Sequence, residues 1–225
     1  MTRSPSNLPP LAAALKSFDP ARHRLIARSS QGQLLEVNAR EGRFVVKMPV
    51  GRRLAGMLWR HALRREHTAY RQLQGLPGFP RCHGLFDDRH LVIERIAGVP
   101  LRQATLLQRE RFFANLQATI TAMHQRGIAH GDLKNRDNIM VRADDQHPFI
   151  IDLGTAVVRK PGLHPFNHRL FDYLCRIDRN AWIKLKYGGY DRVQPADRAW
   201  LRRSLIERIN SRLRRGRRRV QSRSC

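Results

Sequence analysis

The most constraining feature of this sequence is one short segment, residues 130–154, that contains carboxylates, a lysine and an amide in a particular order. Asp132 follows an apolar helical run, Asn138 directly precedes one apolar triplet, and Asp152 directly follows another. Two short strands joined by a turn would bring Asn138 and Asp152 to the same end of a β-hairpin. An amide and a carboxylate that converge in this way suit Mg²⁺, which proteins hold with one or two oxygens plus substrate phosphates. Asp132 would lie one loop away, able to orient or deprotonate a hydroxyl, as phosphoryl transfer requires.

Three motifs in this segment occur in order: His-Gly-Asp-Leu-Lys at 130–134, Asn-Ile-Met-Val at 138–141 and Ile-Asp-Leu-Gly at 151–154. Together they resemble the catalytic loop and metal-binding turn of the protein-kinase-like superfamily, usually H-R-D-L-K-x-x-N and D-F-G. Glycine after the histidine is similar to the branches that phosphorylate sugars, antibiotics or lipopolysaccharide, and to small atypical kinases. The resemblance implies that Asp132 and Lys134 are catalytic and that Asn138 and Asp152 bind the metal ion.

The spacing between the aspartate and the amide departs from the family pattern. In the family the asparagine is five residues after the aspartate, whereas Asn138 is six residues after Asp132 and Asp137 occupies the expected position. We predict that Asn138 is the metal ligand because it directly precedes the Ile-Met-Val strand. Asp137 is the alternative, since its carboxylate could also bind a metal ion.

A lysine and a glutamate earlier in the chain match two further parts of such a site. Lys47 lies in the β-branched run 43–49, which resembles the family strand whose lysine reaches the α- and β-phosphates. The chain has 6 Lys and 37 Arg, and the two side chains do different jobs, so a lysine in this strand favours a specific role. Glu66 is the only carboxylate in the helix predicted over 54–73, where the family glutamate pairs with that lysine. The alternatives are an edge-strand charge for Lys47 and an intrahelical Glu–Arg pair, worth ~0.2–0.5 kcal/mol.

The resemblance also assigns nucleotide contacts to backbone positions. Predicted strands at 24–28 and 34–37 flank a turn that contains Gly32, in the position of the family's phosphate-covering loop. Backbone N–H groups in such a loop can bind phosphate oxygens, although by itself this is an ordinary hairpin turn. A later segment rich in Gly and Pro resembles the hinge between the lobes. The resemblance implies that adenine binds the hinge backbone at Glu94 and Ile96.

The motifs together imply an α+β, two-lobed protein-kinase-like fold with an antiparallel N-lobe sheet, one main N-lobe helix and a reduced, mainly helical C-lobe. The peptide-substrate platform and A-P-E element of the full family do not follow the metal-binding turn. A helix is predicted over 167–186 instead, and its apolar face comprises Leu170, Phe171, Leu174, Ile177 and Trp182. Such a trimmed lobe is similar to the bacterial kinases that act on Kdo or heptose in the lipopolysaccharide core. The predicted divisions are a flexible arm (1–20), the N-lobe (21–96), the C-lobe (97–195) and a basic amphipathic helix and tail (196–225).

The charge of the chain requires a polyanionic neighbour, because the formal net charge is +25 and the isoelectric point is about 11.6. Between 197 and 219 an apolar stripe alternates with arginines, which favours either an interfacial helix on an anionic membrane or packing on the C-lobe. We do not expect nucleic acid as the partner, because the chain has no aromatic stacking platform or nucleic-acid motif. Three cysteines without metal spacing favour a reducing compartment. We therefore expect a cytoplasmic protein with peripheral contact at the inner face of the membrane.

The expected function is transfer of the γ-phosphate of ATP to a hydroxyl, with Mg²⁺ as cofactor and a lipopolysaccharide-core sugar as the favoured acceptor. The alternatives are a serine/threonine protein kinase and a non-catalytic kinase-like module that binds a partner through its basic surface. All six predicted side chains of the site are present, which favours an enzyme because a decayed site usually loses one.

Overall fold

The computed structural model describes residues 10–16, 18–28, 32–49 and 53–201. The N-terminal half is built on a five-stranded antiparallel sheet with the strand order β1-β2-β3-β5-β4. Its strands are β1 (Arg24–Arg28), β2 (Gly32–Ala39), β3 (Gly42–Pro49), β4 (Cys82–Phe86) and β5 (His90–Glu94). Strand β4 begins at Cys82, after a segment in which Gly78 has a positive φ of 83° and its carbonyl accepts a hydrogen bond from the Ile150 amide.

The alternation of side chains between the two faces of β3 determines the direction of the Lys47 side chain. Phe44 and Val46 are buried on one face of the sheet, together with Val92. Successive side chains of a strand point to opposite faces, so Val45 and Lys47 lie on the other face. Val45 packs there against the main core of the molecule. The single lysine of the strand is therefore directed between the sheet and the elements packed beneath it.

The outer face of the sheet is covered by the short helix α1 (Leu11–Lys16). Ala14 and Leu15 are buried there in one cluster with Val37 and Phe44. Their spacing with Leu11, which packs against the same cluster, is helical, so three apolar side chains share one face. The described part of the predicted flexible arm is thus a packed element of the N-lobe, because burying this face stabilises the helix on the sheet.

The long helix α2 (Arg53–Gln72) packs on the inner face of the sheet, close to the bounds predicted from its periodicity. Its buried face contains Leu63, Glu66, Tyr70 and Leu73, spaced by three or four residues. Glu66 is the carboxylate on this face, so the helix carries a charge directly into the core between the two lobes.

The C-lobe combines two helices with short strand pairs. Its helices are α3 (Arg109–Gln125) and α4 (Pro165–Tyr187), and its strands are β6 (Gly98–Pro100), β7 (Ile128–Ala129), β8 (Ile139–Arg142), β9 (Pro148–Ile150) and β10 (Val157–Val158). Strands β6, β8 and β9 form one antiparallel sheet, and β7 pairs with β10. The β8–β9 pair is the predicted hairpin. The apolar face of α3 is buried, with Phe113, Leu116 and Ile120 fully enclosed.

The buried face of α4 agrees only in part with the predicted one. Phe171 and Trp182 are buried as predicted, whereas Leu170 is exposed and Cys175 and Asp178 are enclosed as well. Helix α4 contacts α3 and β7, and Trp182 donates a hydrogen bond from Nε1 to the carbonyl of Phe113 at 2.8 Å. Packing on those neighbours rotates the helix, so that a carboxylate is enclosed and a leucine faces outward.

The C-lobe continues beyond its predicted limit at residue 195. A 3₁₀ turn at Pro195–Trp200 packs against the end of α4, with the Trp200 ring 5.2 Å from the Trp182 ring. Asp197 accepts hydrogen bonds from Lys186 and Tyr187. Most of the predicted amphipathic helix and tail lies outside the described residues. Within the described part of the chain, no helix is sufficiently long and apolar to span a membrane.

Candidate active site between the lobes

Lys47 lies at the centre of a three-residue charge cluster between the lobes. Its Nζ is 2.7 Å from Oε2 of Glu66 and 2.8 Å from Oδ1 of Asp152. Strand β3 supplies the lysine, α2 supplies the glutamate, and the turn after β9 supplies the aspartate. The structure therefore brings together three predicted site residues that are far apart in the sequence, and it makes Glu66 a partner of Lys47 rather than of a helix arginine.

The charges of this cluster follow from burial and ion pairing. Burial acts to lower the pKa of Lys47, but Glu66 and Asp152 outweigh it and raise the pKa above its usual value. Burial raises the pKa of Glu66, and Lys47 opposes this only in part. Burial also acts to raise the pKa of Asp152, but Lys47 outweighs it and lowers the pKa. Lys47 is therefore held as a cation, and the pKa of Asp152 beside it lies below its usual value.

The turn that presents Asp152 is fixed by its backbone. Asp152 has left-handed dihedral angles, φ 60° and ψ 68°, which few non-glycine residues adopt. Its amide donates a hydrogen bond to the hydroxyl of Tyr70 at 3.1 Å, which ties the turn to α2. Gly154 lies close against the charge cluster, since a Cβ at this position would be 3.3 Å from Oδ1 of Asp152. The turn therefore holds the Asp152 carboxylate against Lys47.

In the predicted catalytic loop, the side chain of Asn138 forms hydrogen bonds with Asp132. Asn138 Nδ2 donates to the Asp132 carbonyl at 3.1 Å and to its Oδ2 at 3.2 Å. Lys134 points the same way, with Nζ 3.9 Å from Oδ1 of Asp132. Asp137 turns away and pairs with Arg102 at 3.0 Å. The structure thus gathers Asp132, Lys134 and Asn138, and it engages Asp137 elsewhere.

His130 and Ile151 connect the loop to the turn that carries Asp152. The Asp132 amide donates to Nδ1 of His130 at 3.2 Å, so that nitrogen is the acceptor and Nε2 carries the proton. His130 Nε2 then donates to the Ile151 carbonyl at 3.0 Å. The Ile151 amide in turn donates to the carbonyl of Asn138 at 2.9 Å. The residue before Asp152 is therefore bonded to both ends of the loop, which fixes Asp132, Asn138 and Asp152 relative to one another.

Asp178 of α4 anchors this loop, although the sequence motifs did not indicate a role for it. Its fully buried carboxylate accepts hydrogen bonds from the amides of His130 and Gly131, both at 2.8 Å. Its Oδ2 is also 3.0 Å from Nε2 of His124 on α3. Asp178 does not reach the reacting groups but determines the position of the backbone that carries Asp132. The sequence signal that could have indicated this role is the position of an aspartate on the apolar face of the predicted helix.

Of the predicted nucleotide contacts, Gly32 lies in a strand, and Glu94 and Ile96 lie at the end of β5 and just after it. Gly32 is the first residue of β2, opposite Pro49, and not part of the predicted turn; residues 29–31 lie outside the described residues. A Cβ at Gly32 would be 2.6 Å from the carbonyl oxygen of Met48, so only glycine fits here. Glu94 ends β5, and Ile96 follows it, buried against Met140 and Phe149 of the β8–β9 pair. Glu94 and Ile96 therefore lie where the chain passes from the sheet to the C-lobe, as a hinge does.

Asp152 and Asn138 fit a magnesium ion. The Asp152 side chain is 55% exposed despite its ion pair. The amide oxygen of Asn138 accepts a hydrogen bond from Nδ2 of Asn135 at 3.3 Å, which a bound ion would replace. Mg²⁺ is typically held by one or two protein oxygens, with phosphates and water as the other ligands. No group of three or more His, Cys, Asp or Glu side chains in the described residues could hold a metal by itself. Phosphate oxygens would complete the coordination.

The arrangement of lobes, charge cluster and loop is that of the protein-kinase-like fold, and solved structures confirm the predicted fold class. The Rio2 kinase of Chaetomium thermophilum matches with a TM-score of 0.57 at 18% identity, over 85% of this chain and 66% of that chain. Its ADP/Mg²⁺-phosphoaspartate complex matches with a TM-score of 0.55 at 19% identity, over 79% and 59%. Rad53 in complex with AMP-PNP matches with a TM-score of 0.58 at 21% identity, over 79% and 49%.

These similarities concern the fold. The chain spans about half to two thirds of the length of these structures. No family model matches the sequence, and no curated protein matches it.

Proposed function

We propose that this protein is an ATP-dependent phosphotransferase that transfers the γ-phosphate to a hydroxyl group. The observation that carries the proposal is the position of Lys47. Its ammonium group forms ion pairs with both Glu66, which is buried, and Asp152, and these pairs hold it as a cation between the lobes. A fixed cation is suited to bind phosphate oxygens, and the adjoining loop supplies a carboxylate, a second cation and an amide. Two of the similar structures contain a nucleotide or its analogue, and one also contains Mg²⁺. These ligands motivate the choice of ATP and Mg²⁺.

The residues of the site have distinct tasks in this reaction. Lys47 binds the phosphates of ATP, and the backbone at Glu94 and Ile96 binds the adenine. Asp132 orients the acceptor hydroxyl and accepts its proton as the oxygen attacks the γ-phosphorus. The bond from that phosphorus to the bridging oxygen breaks, which leaves ADP and a phosphate ester. Lys134, 3.9 Å from Asp132, stabilises the negative charge on the transferring group. Mg²⁺ held by Asn138 and Asp152 would neutralise charge on the phosphates.

The acceptor that we propose is a sugar hydroxyl of the lipopolysaccharide core. The support is the short connection after the site: β10 ends at Val158 and α4 begins at Pro165, so only six residues separate them. A peptide-substrate platform requires a longer segment at this point, whereas a sugar needs a smaller surface. The phosphates of a lipopolysaccharide core would also complement the net charge of +25. A protein hydroxyl as acceptor would overturn this choice but not the proposed chemistry.

Nucleotide binding is tested by thermal unfolding with and without Mg²⁺ and ATP. A ligand at about 100 times its dissociation constant stabilises the folded state by about 2.7 kcal/mol, which corresponds to several degrees. Asp152→Ala should lose most of this rise. The matched control is Asp144→Ala, because Asp144 is an exposed aspartate paired with Arg142 in the β8–β9 turn. If the melting temperature of the wild type is unchanged at millimolar Mg²⁺ and ATP, the protein is not an ATP-dependent enzyme.

The catalytic loop is tested separately through turnover. Asp132→Asn should lower kcat by about 10²-fold or more, as expected for loss of a general base, while the rise in melting temperature with Mg²⁺ and ATP remains. Asn138→Ala should weaken the dependence on Mg²⁺, whereas Asp137→Asn should not, because Asp137 pairs with Arg102. The reverse result for these two variants would make Asp137 the metal ligand. Full activity of Asp132→Asn would remove Asp132 from its role.

A further inference from the structure

Four large apolar side chains are exposed together at the start of α4. Leu163 is 91% exposed, Phe166 86%, Leu170 47% and Tyr173 46%. We call these four residues the α4 patch. They make up half of the eight exposed large apolar side chains in the described residues, yet they lie within eleven consecutive positions. Single exposed apolar residues are ordinary on a protein surface, but a cluster of them marks a binding surface.

The α4 patch is a continuous stripe because of helix geometry. Phe166, Leu170 and Tyr173 are spaced by four and three residues, so their side chains lie above one another on one helix face. Leu163 extends the stripe beyond the first turn. The core-facing residues, such as Phe171 and Cys175, point the opposite way. The helix is therefore apolar on two sides, and packing within the C-lobe accounts for only one of them.

The surroundings of the patch are strongly basic. Between residues 159 and 176 the exposed charged side chains comprise four cations and one carboxylate: Arg159, Lys160, Arg169, Arg176 and Asp172. A second copy of this chain would place the same cations against each other across a symmetric interface, which opposes self-association. An anionic lipid surface complements both properties, since its headgroups attract the cations and its acyl boundary accepts the apolar stripe.

The patch also lies next to the proposed site. Leu174, beside Tyr173 on α4, faces the catalytic loop closely enough that a Cβ on Gly131 would be 3.2 Å from its Cδ2. Gly131 directly precedes Asp132. We propose that the α4 patch docks the protein on an anionic bilayer, with the catalytic loop beside the contact. The inference concerns binding and does not depend on phosphotransfer, although it would bring the site close to an acceptor attached to a lipid.

The experiment measures flotation of the full chain with vesicles of phosphatidylcholine containing phosphatidylglycerol. The double substitution Leu163→Ser and Phe166→Ser removes the two most exposed apolar side chains without changing the charge. Binding should fall about tenfold or more, because both side chains would otherwise enter the acyl boundary. The control is Leu107→Ser: Leu107 is 83% exposed. Leu107 lies near Arg109, which donates a hydrogen bond to the carbonyl of Lys186 at the C-terminal end of α4. That end is roughly 30 Å along the helix from the α4 patch. The flotation of this control should equal that of the wild type.

Equal flotation of the double variant and the wild type would overturn the proposal. So would a result in which flotation is lost only after deletion of residues 216–225, since the basic tail would then be the membrane contact. If the double variant changed the sedimentation velocity but not the flotation, the patch would bind a second copy instead. Thermal unfolding with Mg²⁺ and ATP on the same variant keeps the two proposals apart. That shift should remain in the double variant, and its absence from the wild type would overturn only the proposed function.

Discussion

Replacing Asp178 by alanine should destabilise the protein and disable the catalytic loop together. The carboxylate is fully buried and accepts two amide hydrogen bonds, from His130 and Gly131, at 2.8 Å each. His130 is fully buried as well. Leaving a buried donor unpaired costs about 1–3 kcal/mol, and more where the lost partner is charged. His124 loses its partner in the same variant. The expected loss of unfolding free energy is about 3–5 kcal/mol.

Urea denaturation followed by tryptophan fluorescence measures this loss, and Trp182 on the same helix is a buried reporter. In a chain of this length, about 3–5 kcal/mol lowers the melting temperature by roughly 6–20 °C. Asp178→Asn should lose less unfolding free energy, because its remaining side-chain oxygen still accepts a backbone hydrogen bond. Its amide group would nevertheless face the other backbone N–H donor. Asp172→Ala is the control on the same helix, since Asp172 is exposed, and it should lie within about 0.5 kcal/mol of the wild type.

Turnover separates the positioning role of Asp178 from its contribution to stability. Well below the melting temperature, folded Asp178→Ala should still show a kcat lowered by about 10²-fold, because a shift of about 1 Å in Asp132 is sufficient for such a loss. Nucleotide binding should change little, since Lys47 and Asp152 are held by other contacts. An unfolding free energy within 1 kcal/mol of the wild type, together with normal turnover, would refute the reasoning.

Two further predictions concern groups whose burial determines their behaviour. Glu66→Gln should cost about 1.5–3 kcal/mol of unfolding free energy, the range for hydrogen bonds to charged groups, because the buried carboxylate of Glu66 accepts a hydrogen bond from Lys47. Glu110→Gln, which changes an exposed partner of Lys186, should cost less than about 0.5 kcal/mol in the same urea titration; equal costs would contradict a special role for Glu66. Burial raises the pKa of the Cys175 thiol to about 12, so at pH 8 only about one thiol in 10⁴ is ionised. In a variant with Cys82→Ser and Cys225→Ser, a thiol reagent should label Cys175 only after denaturation, and rapid labelling of the native protein would contradict its burial.

The elements that the sequence predicted well are those with a strong local pattern. The helix that carries Glu66 and the hairpin that joins Asn138 to Asp152 follow from periodicity and turn residues over short stretches. The pairing of Lys47 with Glu66 required the family resemblance, because the helical spacing of Glu66 does not by itself indicate which residue it contacts. The structure supplies the distance, and the buried position of Glu66 follows from its place on the apolar face of α2.

The role of Asp178 could not be obtained by following apolar residues alone. The apolar positions predicted for α4 include Phe171, which is buried, and Leu170, which is exposed, whereas the enclosed face also contains Cys175 and Asp178. The contacts of α4 with α3 and β7 enclose this face. Helical spacing from Phe171 to Asp178 would have indicated a buried carboxylate. That carboxylate needs donors, which the loop amides provide.

The extra residue in the catalytic loop is accommodated by a local turn. Asn135 is the N-cap of a 3₁₀ turn at Arg136–Asn138, and its side chain accepts a hydrogen bond from the Asp137 amide at 3.2 Å. A 3₁₀ turn advances the chain by only about 2 Å per residue, so one additional position is absorbed without moving the strand that follows. The turn directs Asp137 outward to Arg102 and returns Asn138 to Asp132. In this loop the hydrogen bonds, rather than the number of residues, therefore determine which side chains meet.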